Sequence, residues 1–311
     1  MLTVEKKTLV TTTNINPEYR VQSLLVGLSL EDNDDVLLSY IDFLADVLPV
    51  EQITFLHVLP RFDMFNIQYE TEADGLVSNF EIDRDIVFQM QAEIKSRFAG
   101  KRLQPVFAVQ EGDPLEALLF ETGQTKADLV VIGQRNGSGP HGILARNLAR
   151  KTTCPALIIP QEAACSLGRI VVPVDFSKNS VNALQSAADI ATATGAELIA
   201  VNIFELPSLN AYRINKTVEE LRELIMTDRY AAFEAFIQTH LRNYAGRLKT
   251  QLVERDWNSV AHHLLDFARA EGADLIVMGA KGHSRVERLL MGSVTEDLLA
   301  ANETIPTLVV K

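Results

Sequence analysis

Gly279, Gly282, Gly292 and Ser293 stand close together in the sequence, and with the cations between them they are residue types that could cradle a polyphosphate. An apolar run, Leu275-Ile276-Val277-Met278, ends at Gly279, and Gly282 follows. A charged spacer with Lys281, His283, Arg285 and Arg288 then leads to Gly292-Ser293. Glycines let a backbone approach a ligand closely or take positive φ. Ser293 opens a helical pattern, and Glu296 completes Ser-x-x-Glu, the signature of a capping box. A helix start offers free N–H groups and the positive end of a dipole, both favourable to phosphate. A second candidate is Asp175, an acceptor at the end of the apolar run Ile170–Val174. Each has a plainer reading: a cap or turn for Asp175, a tight turn and N-cap for Gly292-Ser293, solvated loop residues for Lys281 and His283.

Such a site needs strands that end together and helices that start beside them. In the second half the pattern predicts strand Ile170–Val174, helix Ser180–Thr194, strand Glu197–Ile203 and a long helical stretch from Val218 to Leu248. Strand Gln251–Val253, helix Ser259–Ala270, strand Leu275–Met278 and strand Thr307–Val310 follow. The first half predicts strand Leu24–Leu28, helix Asp34–Val47, strand Ile53–Val58, a polar excursion from Arg61 to Asn79 and helix Asp83–Phe98. It continues with strand Leu103–Val109, helix Pro114–Gly123, strand Leu129–Ile132 and strand Ala156–Ile159. Strands alternating with helices predict an α/β fold: two tandem, open, mainly parallel five-stranded sheets with helices on both faces.

The halves are copies. Ala127-Asp128-Leu129-Val130-Val131-Ile132-Gly133 repeats Ala273–Gly279 at a constant offset of 146 residues. The first copy is worn: Ser29 stands opposite Asp175, Asn136 replaces the second glycine, and Ala145-Arg146 or Arg146-Asn147 replaces Gly292-Ser293, depending on a one-residue gap. Arg146 stands near the former phosphate position and Arg150 near that of Glu296. A guanidinium there could hold an anion or equally fill the empty pocket with its own charge, and the favoured reading is a degenerate domain with a structural role. The organisation expected is a polar lead over 1–20, a first domain over 21–160, a small-residue linker over 161–168 and a second domain over 169–311.

These residues make the chain resemble a tandem universal stress protein. Gly279, Gly282, Gly292 and Ser293 meet the family pattern Gly-x2-Gly-x9-Gly-Ser/Thr, and Val172-Pro173-Val174-Asp175-Phe176-Ser177 meets its first-strand segment. The resemblance implies a Rossmann-like sheet of the adenine-nucleotide alpha-hydrolase kind, and ATP, with or without Mg2+, in the second domain. It assigns Pro173, Val174 and Asp175 to the adenine edge, with Ile203 flanking the base. Met278, Gly279, Lys281 and Gly282 go to ribose and phosphate, and Gly292, Ser293, Val294 and Thr295 to phosphate. It also implies a regulatory protein of the stress response rather than an enzyme, acting through an unidentified protein partner. The competing reading is a nucleotide-free scaffold or interaction protein of the same fold. Pairing of the final strands of the two halves would make an intramolecular pseudo-dimer, with a homodimer of whole chains still open.

Other classes fall on composition and missing motifs. A net charge of −12 argues against a nucleic-acid surface. No apolar stretch approaches bilayer length, and the first residues lack a signal peptide's apolar core. Two cysteines, Cys154 and Cys165, form no disulfide framework, so a reduced cytoplasmic protein is expected. A dinucleotide fold needs Gly-x-Gly-x-x-Gly after its first strand and a P-loop needs Gly-x4-Gly-Lys-Ser/Thr; neither occurs. His262 and His263 diverge as helix neighbours and make a poor metal pair, and no residue pairs as nucleophile and base.

Overall fold

The computed structural model describes residues 21–30, 34–59, 79–134, 140–206, 217–282 and 291–311. The polar lead, most of the excursion after Arg61, Asn136, and the spacer cations His283, Arg285 and Arg288 lie outside the described residues. The chain divides into two compact units, Arg20–Cys165 and Ser166–Lys311.

In the first unit, β1 (Ser23–Leu28), α1 (Asp34–Val47), β2 (Gln52–Leu59), α2 (Asn79–Arg97) and β3 (Gln104–Glu111) come first. After them come α3 (Pro114–Thr125), β4 (Leu129–Gln134), α4 (Pro140–Lys151) and β5 (Ala156–Pro160). Its strands lie in the order β3-β2-β1-β4-β5, each neighbouring pair parallel. The second unit runs β6 (Arg169–Pro173), α5 (Lys178–Thr194), β7 (Glu197–Phe204), α6 (Val218–His240) and β8 (Leu248–Glu254). It ends with α7 (Val260–Ala270), β9 (Leu275–Gly279), α8 (Ser293–Ala301) and β10 (Thr307–Val310). Its order is β8-β7-β6-β9-β10, again parallel throughout.

Buried on both faces, the central strands read as unbroken apolar runs. Leu24, Leu25 and Val26 of β1 and Ile170, Val171 and Val172 of β6 are fully enclosed. Leu264, Leu265 and Ala268 of α7 and Leu298 of α8 pack on Val171, Ile199 and Ile276 in the second core. The duplication extends to a side-chain clamp. Asp274 Oδ2 accepts from the backbone of Gly168 (2.7 Å) and Arg169 (2.8 Å) at the entry to β6. Asp128 Oδ2 accepts from Gln22 and Ser23 (2.9 Å each) at the entry to β1. The aspartate of the repeated Ala-Asp-Leu segment therefore fastens the first strand beside the fourth.

Two sequence expectations change. The long helix stops at His240, not Leu248. Leu241 caps it, a turn follows, and the Tyr244 hydroxyl folds back to donate to Arg247 O at 3.3 Å. A Cβ on Gly246 would overlap that ring, so any side chain there would have to displace Tyr244. The freed residues let β8 begin at Leu248 rather than Gln251. The second change is α4, a full helix where the sequence showed only a gap between two strands. No described helix is long and apolar enough to cross a membrane.

Candidate functional site

Strand order reverses between β6 and β9, and ligands in open α/β sheets lie outside the carboxyl ends of strands at such a point. The end of β6 is held by β7 and α6. Val174 N–H donates to Val201 O (2.8 Å), and Val174 O accepts from Asn202 Nδ2 (2.7 Å). Asn202 Oδ1 accepts in turn from Arg229 of α6 (3.0 Å), whose guanidinium lies 5.1 Å over the Phe204 ring. Burial lowers the pKa of Arg229. Asp175 follows, with Oδ1 accepting from Ser177 N at 3.0 Å. Phe176 then takes φ 66°, a left-handed conformation costing a side-chain-bearing residue roughly 1–2 kcal/mol. Its ring meets Phe233 and Phe236 of α6 edge-on, at 6.2 and 5.3 Å, which holds the turn.

The end of β9 is as closely fixed. A Cβ on Gly279 would sit 2.8 Å from the backbone oxygen of Asn179, so glycine here admits the first turn of α5. A Cβ on Gly282 would sit 2.6 Å from Asp175 Oδ2. Gly292 N–H donates to Ala280 O (2.8 Å) and Thr295 Oγ1 donates to Gly279 O (3.0 Å), which tie the start of α8 to the strand end.

The capping-box expectation is corrected. Ser293 is the first helical residue and Gly292 is the N-cap, with φ −78°, ψ 150° and no side-chain cap bond. No side chain from the cap position reaches the N–H groups of Ser293, Val294 and Thr295, which have no intrahelical acceptor.

All twelve residues singled out from the sequence line one cavity of about 220 Å3. Pro173, Val174 and Asp175 come from the end of β6, Ile203 from β7, Met278, Gly279, Lys281 and Gly282 from the end of β9 and the loop after it, and Gly292, Ser293, Val294 and Thr295 from the start of α8. Ser180, Val201 and Val260 also line it and were not anticipated. Ser180 lies in the first turn of α5 and Val260 is the first residue of α7, two helix starts that the strand pattern alone does not place beside the cavity. His262 and His263 lie on α7 and do not line it. Among the described residues no group of His, Cys, Asp or Glu could hold a metal ion.

The first unit has a cavity of about 300 Å3 at the matching strand ends. Two expectations about it change. Its carboxylate is not lost but moved. Ser29 and Asp34 stand where the second unit has Asp175 and Ser180, and Ser29 Oγ donates to Asp34 Oδ1 at 3.0 Å. Secondly, α4 and α8 end at equivalent places, with Thr152 N bonded to Leu148 O and Asn302 N to Leu298 O. Counting back from those ends sets Gly142-Ile143, not Ala145-Arg146 or Arg146-Asn147, opposite Gly292-Ser293.

A sequence model of the universal stress protein family matches residues 167–311. A universal stress protein of Methanocaldococcus jannaschii is 30% identical over 143 residues, covering 46% of this chain and 81% of that one. A universal stress protein of Mycobacterium tuberculosis is 26% identical over 200 residues, covering 60% and 62%. Across both units the fold is similar to that of a universal stress protein from Archaeoglobus fulgidus, with a TM-score of 0.64, 17% identity and coverage of 95% and 98%. With the glycine loop and the duplicated parallel sheets, these similarities show that the chain belongs to the universal stress protein family and serves in the stress response.

Proposed function

We propose that the second unit binds ATP and that the protein acts as a nucleotide-responsive regulator rather than an enzyme. The observation that carries this reading is the start of α8. Three consecutive N–H groups, in a helix whose N-cap supplies no side chain, line a cavity that also holds Lys281. Free amides, the positive end of a helix dipole and an ammonium suit a polyphosphate. At the other end, Asp175 is an acceptor beside apolar Val174 and Ile203, which suits the amino edge of a flat base. The residues present therefore fit the nucleotide: Asp175 and Ile203 at the base, Gly282 and Lys281 along the ribose and phosphates, Ser293 to Thr295 at the phosphates. Mg2+ would be carried in by the phosphates. Cys154 and Cys165 form no disulfide, which accords with work in the cytoplasm.

The reading includes an intramolecular pseudo-dimer through the closing strands Ala156–Pro160 and Thr307–Val310, because an apolar edge strand left unpaired invites aggregation. Truncation after Ile305 should then lower solubility.

Thermal denaturation with ATP and Mg2+ tests the nucleotide. A ligand at ~100 times its Kd adds about 2.7 kcal/mol of stability. No shift at millimolar ATP would favour the nucleotide-free scaffold.

A further inference from the structure

The first unit's cavity is built from the same positions as the second's. Leu28, Ser29, Val58, Gly133 and Leu144 line it where Val174, Asp175, Ile203, Gly279 and Val294 line the other. The polar groups differ. Asp34, only 7% exposed, presents a carboxylate that accepts from Ser29 Oγ (3.0 Å), Leu30 N (2.7 Å) and the backbone N–H of Ser29. A carboxylate has about four lone-pair sites, so acceptor capacity is left over. His57 contributes a second acceptor. Its Nδ1 is 3.1 Å from Leu28 O, which can only accept, so Nδ1 carries a proton and, in that tautomer, Nε2 is the acceptor nitrogen.

The phosphate end is altered as well. α4 is twelve residues long and α8 nine, and they end at equivalent places. α4 thus begins three residues early, which draws its free N–H groups back by about 4.5 Å along the axis at 1.5 Å per residue. Pro140, its first residue, has no N–H at all. At the level where α8 starts, the first unit is already inside a helix. A buried carboxylate also repels phosphate.

We propose that this cavity is a second binding site, for an uncharged, flat heterocycle that bears an amino group and is of nucleoside size. The amino group donates to Asp34 and His57, the ring lies among Leu28, Val58, Ile132 and Leu144, and phosphorylated ligands are rejected. At about 300 Å3 it falls at the lower end of small-molecule pockets. Site and ligand are both distinct from those of the nucleotide reading.

Calorimetry on the full chain tests this with adenosine, purine riboside (the same molecule without the amino group) and ATP. Gly133→Val puts a side chain into the lining of the first cavity at a position where a Cβ meets nothing closer than Leu37 at 3.8 Å, and a cooperative melting transition checks that the variant is folded. Gly282→Val obstructs the second cavity through Asp175. Adenosine binding should survive Gly282→Val and be lost in Gly133→Val. Purine riboside should bind at least tenfold more weakly than adenosine, and Asp34→Asn should weaken adenosine by a similar factor with the chain still cooperatively folded. His57→Asn, which imitates Asn202 and keeps the bond to Leu28 O, isolates the contribution of Nε2. Adenosine that fails to bind the parent, binds Gly133→Val as tightly as the parent, or is lost only in Gly282→Val overturns the proposal. ATP that binds Gly282→Val with a Gly133-dependent heat overturns it too.

Discussion

Gly282 and Asp175 touch across the mouth of the second unit's cavity: a Cβ on Gly282 would stand 2.6 Å from the Asp175 carboxylate. The glycine loop and the first-strand carboxylate, far apart in sequence, are therefore one surface. A side chain at 282 must displace Asp175 or enter the cavity. Gly282→Val should abolish ATP binding in calorimetry while leaving the melting transition cooperative. Asp175→Ala removes a hydrogen bond to a charged group, ~1.5–3 kcal/mol, or about 10–150-fold in affinity. Unchanged binding in both variants would move the site elsewhere.

Gly279 separates from Gly282 in kind. Its Cβ would strike backbone and Cβ atoms of Asn179 at 2.8–2.9 Å, and backbone does not yield as a flexible side chain does. Gly279→Ala should destabilise the fold by about 1–3 kcal/mol, the scale of an overpacked core. Denaturant unfolding should show this in the absence of nucleotide. A Gly279→Ala chain as stable as the parent but unable to bind would make this glycine a ligand residue instead.

His57 and Asn202 do the same work by different chemistry. Each lies on the second strand of its unit and bonds the carbonyl that follows the core of the first, Leu28 O at 3.1 Å and Val174 O at 2.7 Å. Asn202→Ala leaves Val174 O without that donor and Arg229 without its acceptor, in a buried setting. A loss of about 1–3 kcal/mol is expected. ATP affinity should fall with it, because Asp175 is the next residue. Asn202→His, copying the first unit, should recover most of the stability. If Asn202→Ala lowers stability but leaves the ATP Kd unchanged, the chain from Arg229 to Val174 does not position Asp175.

How much of this was legible depended on the kind of signal. Strands showed because a strand buried on both faces is a short apolar run bounded by turn residues. Gly279, Gly282 and Gly292 showed because backbone approach leaves glycine little substitute. The carboxylate of the first cavity did not show. A comparison at fixed offset reads Ser29 against Asp175 and stops there, while the exchange of serine and aspartate with the helix start five residues on becomes visible only when both face one space. The match to Gly292-Ser293 was misplaced for a related reason. α4 is one turn longer than α8, and only the shared helix ends settle the count. Ser293 misled in the other direction: serine before a helix suggests a cap, yet Gly292 takes the cap position and leaves the amides open.

Asp34 makes the first cavity sensitive to pH in a direction that can be worked out. Burial raises its pKa, and nearby Glu93 adds to the rise; the bonds from Leu30 and Ser29 oppose it without cancelling it. The folded chain therefore holds this proton at pH values where the unfolded chain has released it. Between the ordinary carboxylate value and the raised native one the folded state binds more protons, so this group's contribution makes stability fall as pH rises through that window. Above the native value the contribution is constant. Asp34→Asn has no proton to lose. Denaturant unfolding of parent and variant from about pH 3.5 to 7.5 should therefore give a difference in stability that shifts in favour of the variant as pH rises, then levels off. A constant difference across the range would mean that Asp34 titrates alike in both states.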